Sequence, residues 1–198
     1  IQYGIGSVPS AILSALSGHR RLGIHSGMLT DDIIGLIESG VITNETNRVR
    51  PGISVGALAI GSERLSHYLH LNPAIELHPA STTHSAGTLA QLDRLVAINS
   101  AFEIDIFEQV NAEMVGDRYL GAVGGQVDFM HAASTHQHGL SIIAMPSVTL
   151  PPGQLIYRLM SFLGSSICRK SICATTALAT KSLIGVPIKM IRSRNRRL

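Results

Sequence analysis

Three glycine-bearing stretches hold the residue types most able to do chemistry: Gly4-Ile5-Gly6, His25-Ser26-Gly27-Met28 and Gly121-Ala122-Val123-Gly124-Gly125-Gln126. Adjacent glycines let backbone amides approach a ligand closely and point at an anion or oxyanion. Gly124 and Gly125 are the strongest pair of this kind, although a simple turn calls for the same residues. Their spacing fits neither the dinucleotide fingerprint nor the phosphate-binding loop, which needs other glycines and a lysine. The nine histidines raise a metal reading, centred on His131 with His136 and His138. Those residues sit in a polar Ser-Thr-His-Gln-His-Gly stretch that reads as a surface loop without a third ligand, so no metal site is expected. No Gly-x-Ser-x-Gly elbow marks a serine nucleophile.

The elements that must position these loops alternate between strand and helix. Ile1–Ile5 reads as a short apolar strand running into Gly6. Val8, Ala11, Ile12, Ala15 and Leu16 follow one helix face, with Pro9 in the first turn and Gly18 past the end. Leu22–His25 reads as a second strand. Thr30 is a suitable N-cap, Asp31 and Asp32 sit where the helix dipole favours anions, and Gly40 closes that helix. Ile53–Ile60 is apolar throughout, as in strands buried on both faces of a parallel sheet. Ser62 is placed to cap a helix carrying Leu65, Tyr68 and Leu69, and Ala74–His78 returns as a strand. Further strands are expected at Leu95–Asn99, Phe102–Phe107, Gln109–Val115 and Ser141–Met145. Repeated strand–helix units predict an α/β domain with a mixed, largely parallel sheet flanked by helices, and an antiparallel portion near residues 95–123. In such sheets ligands gather at the loops leaving the carboxyl ends of strands.

Composition bounds the rest. A chain of 198 residues, 45% hydrophobic and 15% charged, has enough apolar surface for a real core and is not disordered over most of its length. Two cysteines, Cys168 and Cys173, cannot staple a domain of this size. No uncharged apolar run reaches the roughly eighteen residues of a membrane helix. The expectation is a cytoplasmic protein with no membrane association. The net charge of +3 hides two unlike halves. Residues 1–148 hold all thirteen acids against seven arginines, a net of −6, whereas residues 149–198 hold nine cations and no acid. Such a tail could bind nucleic acid, but it lacks interleaved aromatics or a known module, so no nucleic-acid partner is expected. An abrupt composition break instead points to a displaced reading frame or a truncated gene. The tail after Pro151-Pro152-Gly153 is therefore expected to pack poorly, with helices near 154–163 and 174–183.

Several motifs together resemble the acetyl-CoA hydrolase/transferase family, in particular its 4-hydroxybutyrate CoA-transferase branch. They are Gln2-Tyr3-Gly4-Ile5-Gly6, Leu22-Gly23-Ile24-His25-Ser26, Gly40-Val41-Ile42-Thr43-Asn44, Val96-Ala97-Ile98-Asn99-Ser100, Gln109-Val110-Asn111, Val123-Gly124-Gly125-Gln126-Val127-Asp128-Phe129 and Ile142-Ile143-Ala144-Met145-Pro146-Ser147. The resemblance covers residues 1–148 as an incomplete C-terminal catalytic domain, and the family's N-terminal domain would precede Ile1. With no initiator methionine, the chain is expected to be a fragment. The resemblance implies exchange of CoA between an acyl-CoA and a small carboxylic acid, as in acetate metabolism. It implies no bound cofactor, a CoA thioester as substrate, and an oligomeric state left open with a homodimer among the options. Its chemistry would be covalent: a glutamate carboxylate attacks the acyl-CoA, and the resulting anhydride becomes a glutamyl-CoA thioester. Gly124, Gly125 and Gln126 would form the oxyanion and CoA loop. His25, Ser26, Met28 and Asn99 would line the pocket. The family's glutamate stands in Gly-Ile-His-Ser-Glu-Met, and this chain has Gly27 at that position. The residues after Ser147 also depart from the family pattern. The resemblance therefore implies an impaired CoA-transferase, or a catalytically inactive acyl-CoA-binding remnant.

Overall fold

The computed structural model describes residues 1–104, 109–115, 117–146, 148–149, 156–157, 174–176 and 188–193. The chain runs β1 (Gln2–Tyr3), α1 (Ser7–Ser14), β2 (Met28–Leu29), α2 (Asp32–Glu38), β3 (Ser54–Gly56), β4 (Leu58–Ala59), α3 (Glu63–Leu69) and β5 (Ile75–Leu77). It continues with α4 (Ala80–Thr83), α5 (Ala86–Leu89), β6 (Val96–Asn99), β7 (Glu103–Ile104), β8 (Val110–Asn111), β9 (Met114–Val115), β10 (Arg118–Tyr119), α6 (Gln126–Thr135) and β11 (Leu140–Pro146). Four short strands follow: β12 (Val148–Thr149), β13 (Ile156–Tyr157), β14 (Ala174–Thr176) and β15 (Ile188–Ser193).

The principal sheet has the order β1-β6-β11-β15-β14, with β1, β6 and β11 parallel, β15 antiparallel to β11, and β14 antiparallel to β15. Parallel pairs β2–β4 and β3–β5 lie beside it. Backbone bonds from His25 N–H to Ile1 O and from Ser26 N–H to Val55 O connect these pairs to β1, so parallel chain direction extends across the layer. The expected strand Leu22–His25 takes part through single bridges, Leu22 to Ile42 and His25 to Val55. Antiparallel pairs β7–β8 and β9–β10 form the portion expected near residues 95–123. The architecture is the mixed α/β sheet with flanking helices that the residue pattern predicts.

Strand alternation divides the core. Ile98, Ile142 and Ala144 point to one face and pack with Val8 of α1. Ala97, Ile143 and Met145 point to the other and pack with Phe129, Met130 and Ala133 of α6. A third cluster joins Tyr3, Leu13, Ile24, Leu29, Ile33 and Val41. Leu13, outside the expected helix face, is fully buried in α1 as Pro9 is, because this helix serves two clusters at once. Gly40 adopts φ +71 at the end of α2, a left-handed conformation glycine enters without penalty.

Two expectations need correction. Residues 53–60 do not form one buried strand: Val55 is buried, but Leu58 is 44% exposed and Ile60 is 61% exposed. Residues 55–59 keep one register against 25–29, but β5 pairs only with Ser54–Gly56, so the segment loses its second neighbour after Gly56 and Leu58 stands at an open edge. Ser62 begins α3 without a side-chain cap bond; its hydroxyl and its N–H both donate to Asp31. The helices expected near 154–163 and 174–183 lie largely outside the described residues, within which Ile156–Tyr157 and Ala174–Thr176 are strands. The end of the strand expected at Phe107 also lies outside them.

One buried polar contact fixes the helical excursion to the sheet. His25 is 3% exposed, and its Nε2–H donates to the Thr83 carbonyl at 2.9 Å, at the end of α4. Nδ1 has no partner. Burial pushes the imidazole below its ordinary value near 6.5, and the carbonyl contact only partly offsets this. Below about 6.5 the unfolded chain then binds more protons than the folded one, and stability falls with pH until the folded value is passed. Urea unfolding at about pH 8 and about pH 5 should show this loss, and His25→Gln should flatten the slope. Core and surface also separate cleanly: Ile143→Ala should cost about 2–5 kcal/mol in the same assay. Ile60→Ala should stay within about 0.5 kcal/mol.

Candidate functional site

A cavity of about 1120 Å³ opens at the carboxyl edge of the parallel strands. Gly4 to Gly6 follow β1 into it, Gly27 and Met28 follow the Leu22–His25 segment, and Asn99 to Ala101 leave β6. The opposite wall comes from the β7–β10 region and from the loop Gly121 to Gly125. Gly125 is the N-cap of α6, and Gln126 is its first residue. The structure thus brings Gly27, Met28, Asn99, Gly124, Gly125 and Gln126 to one cavity.

His25 and Ser26 lie behind the wall. Ser26 is fully buried; its hydroxyl donates to Tyr3 O at 3.2 Å and accepts from Tyr3 N–H at 3.4 Å. Together with the His25–Thr83 bond, this fixes the backbone on which Gly27 is presented. Asn99 is held from the side by Gln2 in a reciprocal amide pair, with bonds of 3.1 Å and 2.9 Å. Both residues are buried, at 4% exposure each.

Sequence reasoning passed over His84, which no spacing or motif marks. A Cβ at Gly27 would lie 3.0 Å from His84 Nε2 and 3.7 Å from the Phe129 ring. A Cβ at Gly125 would lie 2.2 Å from the same nitrogen. The His84 ring meets Phe129 edge-on, with centroids 4.9 Å apart. Only the fold brings these four residues together, across sequence gaps no local pattern spans.

Among the described residues, the atoms that a Cβ at Gly27 would meet first belong to His84 and Phe129, not to an acid. Asp31, the nearest in sequence, is committed to Ser62, whose hydrogen bonds hold its carboxyl below the usual carboxylate range. Among the acids of the cavity wall, Glu103 accepts from Asn111 Nδ2 at 2.9 Å, and Glu113 accepts from the Tyr119 hydroxyl. The described wall contains no lysine or arginine. Among the described residues no cluster of three or more His, Cys, Asp or Glu could hold a metal ion. None of their helices is long and apolar enough to cross a membrane.

Residues 61–176 match the acetyl-CoA hydrolase/transferase C-terminal domain. The succinyl-CoA:acetate/propanoyl-CoA:succinate CoA transferase of Fasciola hepatica is 39% identical over 151 residues, covering 75% of this chain and 32% of that protein. The 4-hydroxybutyrate coenzyme A transferase of Clostridium kluyveri is 35% identical over 147 residues, covering 74% of this chain and 34% of that protein. Among solved structures, RipA from Yersinia pestis superposes with a TM-score of 0.73 at 34% identity, covering 80% of this chain and 36% of that one. The 4-hydroxybutyrate CoA-transferase from Porphyromonas gingivalis gives a TM-score of 0.68 at 34% identity, covering 80% of this chain and 37% of that one. The chain spans about a third of the length of the curated relatives it matches. By sequence, fold and order of motifs, it belongs to the acetyl-CoA hydrolase/transferase family, as a C-terminal domain.

Proposed function

We propose that this domain supplies one wall of a CoA-transferase-type cleft for an acyl-CoA and a small carboxylate, and that covalent CoA transfer is lost in it. The observation that carries the reading is Gly27 on the cavity wall, where a Cβ would first meet His84 and Phe129 and the chain itself supplies no side chain. In the reaction implied by the family, a carboxylate oxygen attacks the thioester carbonyl and CoA thiolate departs. The thiolate then attacks the enzyme-side carbonyl of the anhydride and expels the original acyl group as a carboxylate, leaving CoA on the enzyme carboxyl until the incoming acid collects it. Each step needs the side chain that glycine lacks. What remains are a cavity of suitable size, an apolar wall at Met28 and Leu58, and backbone amides at Gly124 and Gly125 for an oxyanion. Because the described wall has no cation, the phosphates of CoA must be held from elsewhere, which suits a cleft completed by an N-terminal half. A cytoplasmic setting goes with this reading.

Three outcomes test it. Incubation with acetyl-CoA, borohydride trapping and peptide mapping should find no adduct at residue 27, and an adduct on Glu103 or Asp31 would show that another acid has taken the role. Transfer to acetate should run on the order of 10⁴–10⁶-fold below a glutamate-bearing relative, the range seen when a covalent nucleophile is removed. Restoration should depend on position 84, since a Cβ at residue 27 comes within 3.0 Å of His84 Nε2. In a chimera carrying a relative's N-terminal half, Gly27→Glu with His84→Ala should transfer CoA faster than Gly27→Glu alone. Equal rates would show that the imidazole does not obstruct the carboxylate.

A further inference from the structure

The space beside Gly27 is filled by an imidazole. The His84 ring lies against both glycines, so that a Cβ at Gly27 would come within 3.0 Å of Nε2 and a Cβ at Gly125 within 2.2 Å of it. Two alanines there would expel the ring. Thr83, fully buried, sets its orientation: Thr83 Oγ1 is 2.8 Å from His84 Nδ1 and 3.5 Å from the Pro79 carbonyl. The 2.8 Å contact holds the ring through Nδ1 in either tautomer, and in the one with the proton on Nδ1 the Thr83 oxygen accepts it and Nε2 carries the lone pair. Phe129 closes the other side of the ring, and the backbone of Thr83 is anchored by buried His25. Nε2 has no hydrogen-bond partner among the described residues, and His84 lines the cavity.

A histidine held through Nδ1, with a free Nε2 facing the place of a missing nucleophile, has the parts of a general base. We propose that His84 activates water to hydrolyse the thioester of a bound acyl-CoA. Nε2 takes a proton from water as the water oxygen bonds to the thioester carbonyl carbon. The carbonyl oxygen becomes an alkoxide, for which the amides of the Gly124–Gly125 loop are the available donors. Collapse of the alkoxide breaks the carbon–sulfur bond, and the imidazolium returns its proton to the departing thiolate. The products are a carboxylic acid and the free CoA thiol, so the step needs no oxidant, reductant or second substrate. This inference rests on the reading that the cavity admits a CoA thioester, and the test separates the two.

The chain, joined to a relative's N-terminal half as in the chimera above and with Gly27 unchanged, is incubated with acetyl-CoA and no carboxylate acceptor, and free CoA is followed by chromatography. Calorimetry with a non-hydrolysable dethia analogue of acetyl-CoA measures binding separately. CoA should appear above the buffer rate, and His84→Ala should lower that rate by about 10²–10⁴-fold while leaving analogue binding intact. Added imidazole should restore at least part of the rate in His84→Ala and none in the unmodified chain. His84→Gln, which fills the slot without a base, should fall as far as the alanine variant. Analogue binding without hydrolysis, or hydrolysis undiminished in both variants, would overturn the role of His84 and leave the CoA site standing. An acyl group trapped on His84 itself would also overturn it, by making the imidazole the nucleophile. Failure of the chimera with Gly27 and His84 in place to bind the analogue would sink the CoA-site reading along with the inference.

Discussion

Parallel pairing is the constraint from which the site follows. When strands run in one direction, their carboxyl ends come to one edge, and the residues just beyond them are neighbours however distant in sequence. Gly4 leaves β1 there, Gly27 leaves the segment bonded beside β1, and Ser100 leaves β6. Helices α1 and α6 cover opposite faces and leave that edge open. Were any of these strands reversed, its loop would emerge some strand-length away and the cavity would lose a wall.

Much of this was legible in the residues. The strands expected at Leu95–Asn99 and Ser141–Met145 are found at Val96–Asn99 and Leu140–Pro146, because their mostly aliphatic side chains are buried on both faces of the sheet. Gly124 and Gly125 marked the loop before α6. The run from Ile53 to Ile60 misled, since the loss of the β5 neighbour after Gly56 carries no compositional trace. Leu58 reads as core from its type and serves instead as cavity wall. His84 was invisible for a related reason. Its meaning depends on two glycines 57 and 41 positions away in the chain, and on an aromatic ring from α6.

Supporting groups around the site are more deeply buried than those that face it. His25, Ser26 and Thr83 are 3%, 0% and 0% exposed; His25 Nε2 and the Ser26 hydroxyl bond to backbone, and the Thr83 hydroxyl meets His84 Nδ1. Polar groups withdrawn from water and bonded to main chain have few alternative arrangements. The surface they carry, by contrast, is mostly glycine and apolar side chain, which commits to little chemistry of its own. The domain therefore holds a well-defined backbone scaffold whose reactive content is set by very few side chains.

The Gln2–Asn99 amide pair has one more consequence. β1 has only the residues Gln2 and Tyr3, paired with Ala97 and Ile98, too short a ladder to hold alignment by main-chain bonds alone. Two carboxamides facing one another with matched donor and acceptor act as a pin, much as complementary bases fix the frame of a duplex. Shifting the strand by one residue would separate the amides and turn Tyr3 out of the interior. Gly4 lies directly over the pin: a Cβ there would sit 2.8 Å from Asn99 Oδ1. The same carboxamide that keeps the strand in frame thus dictates that the cavity's first residue stay bare.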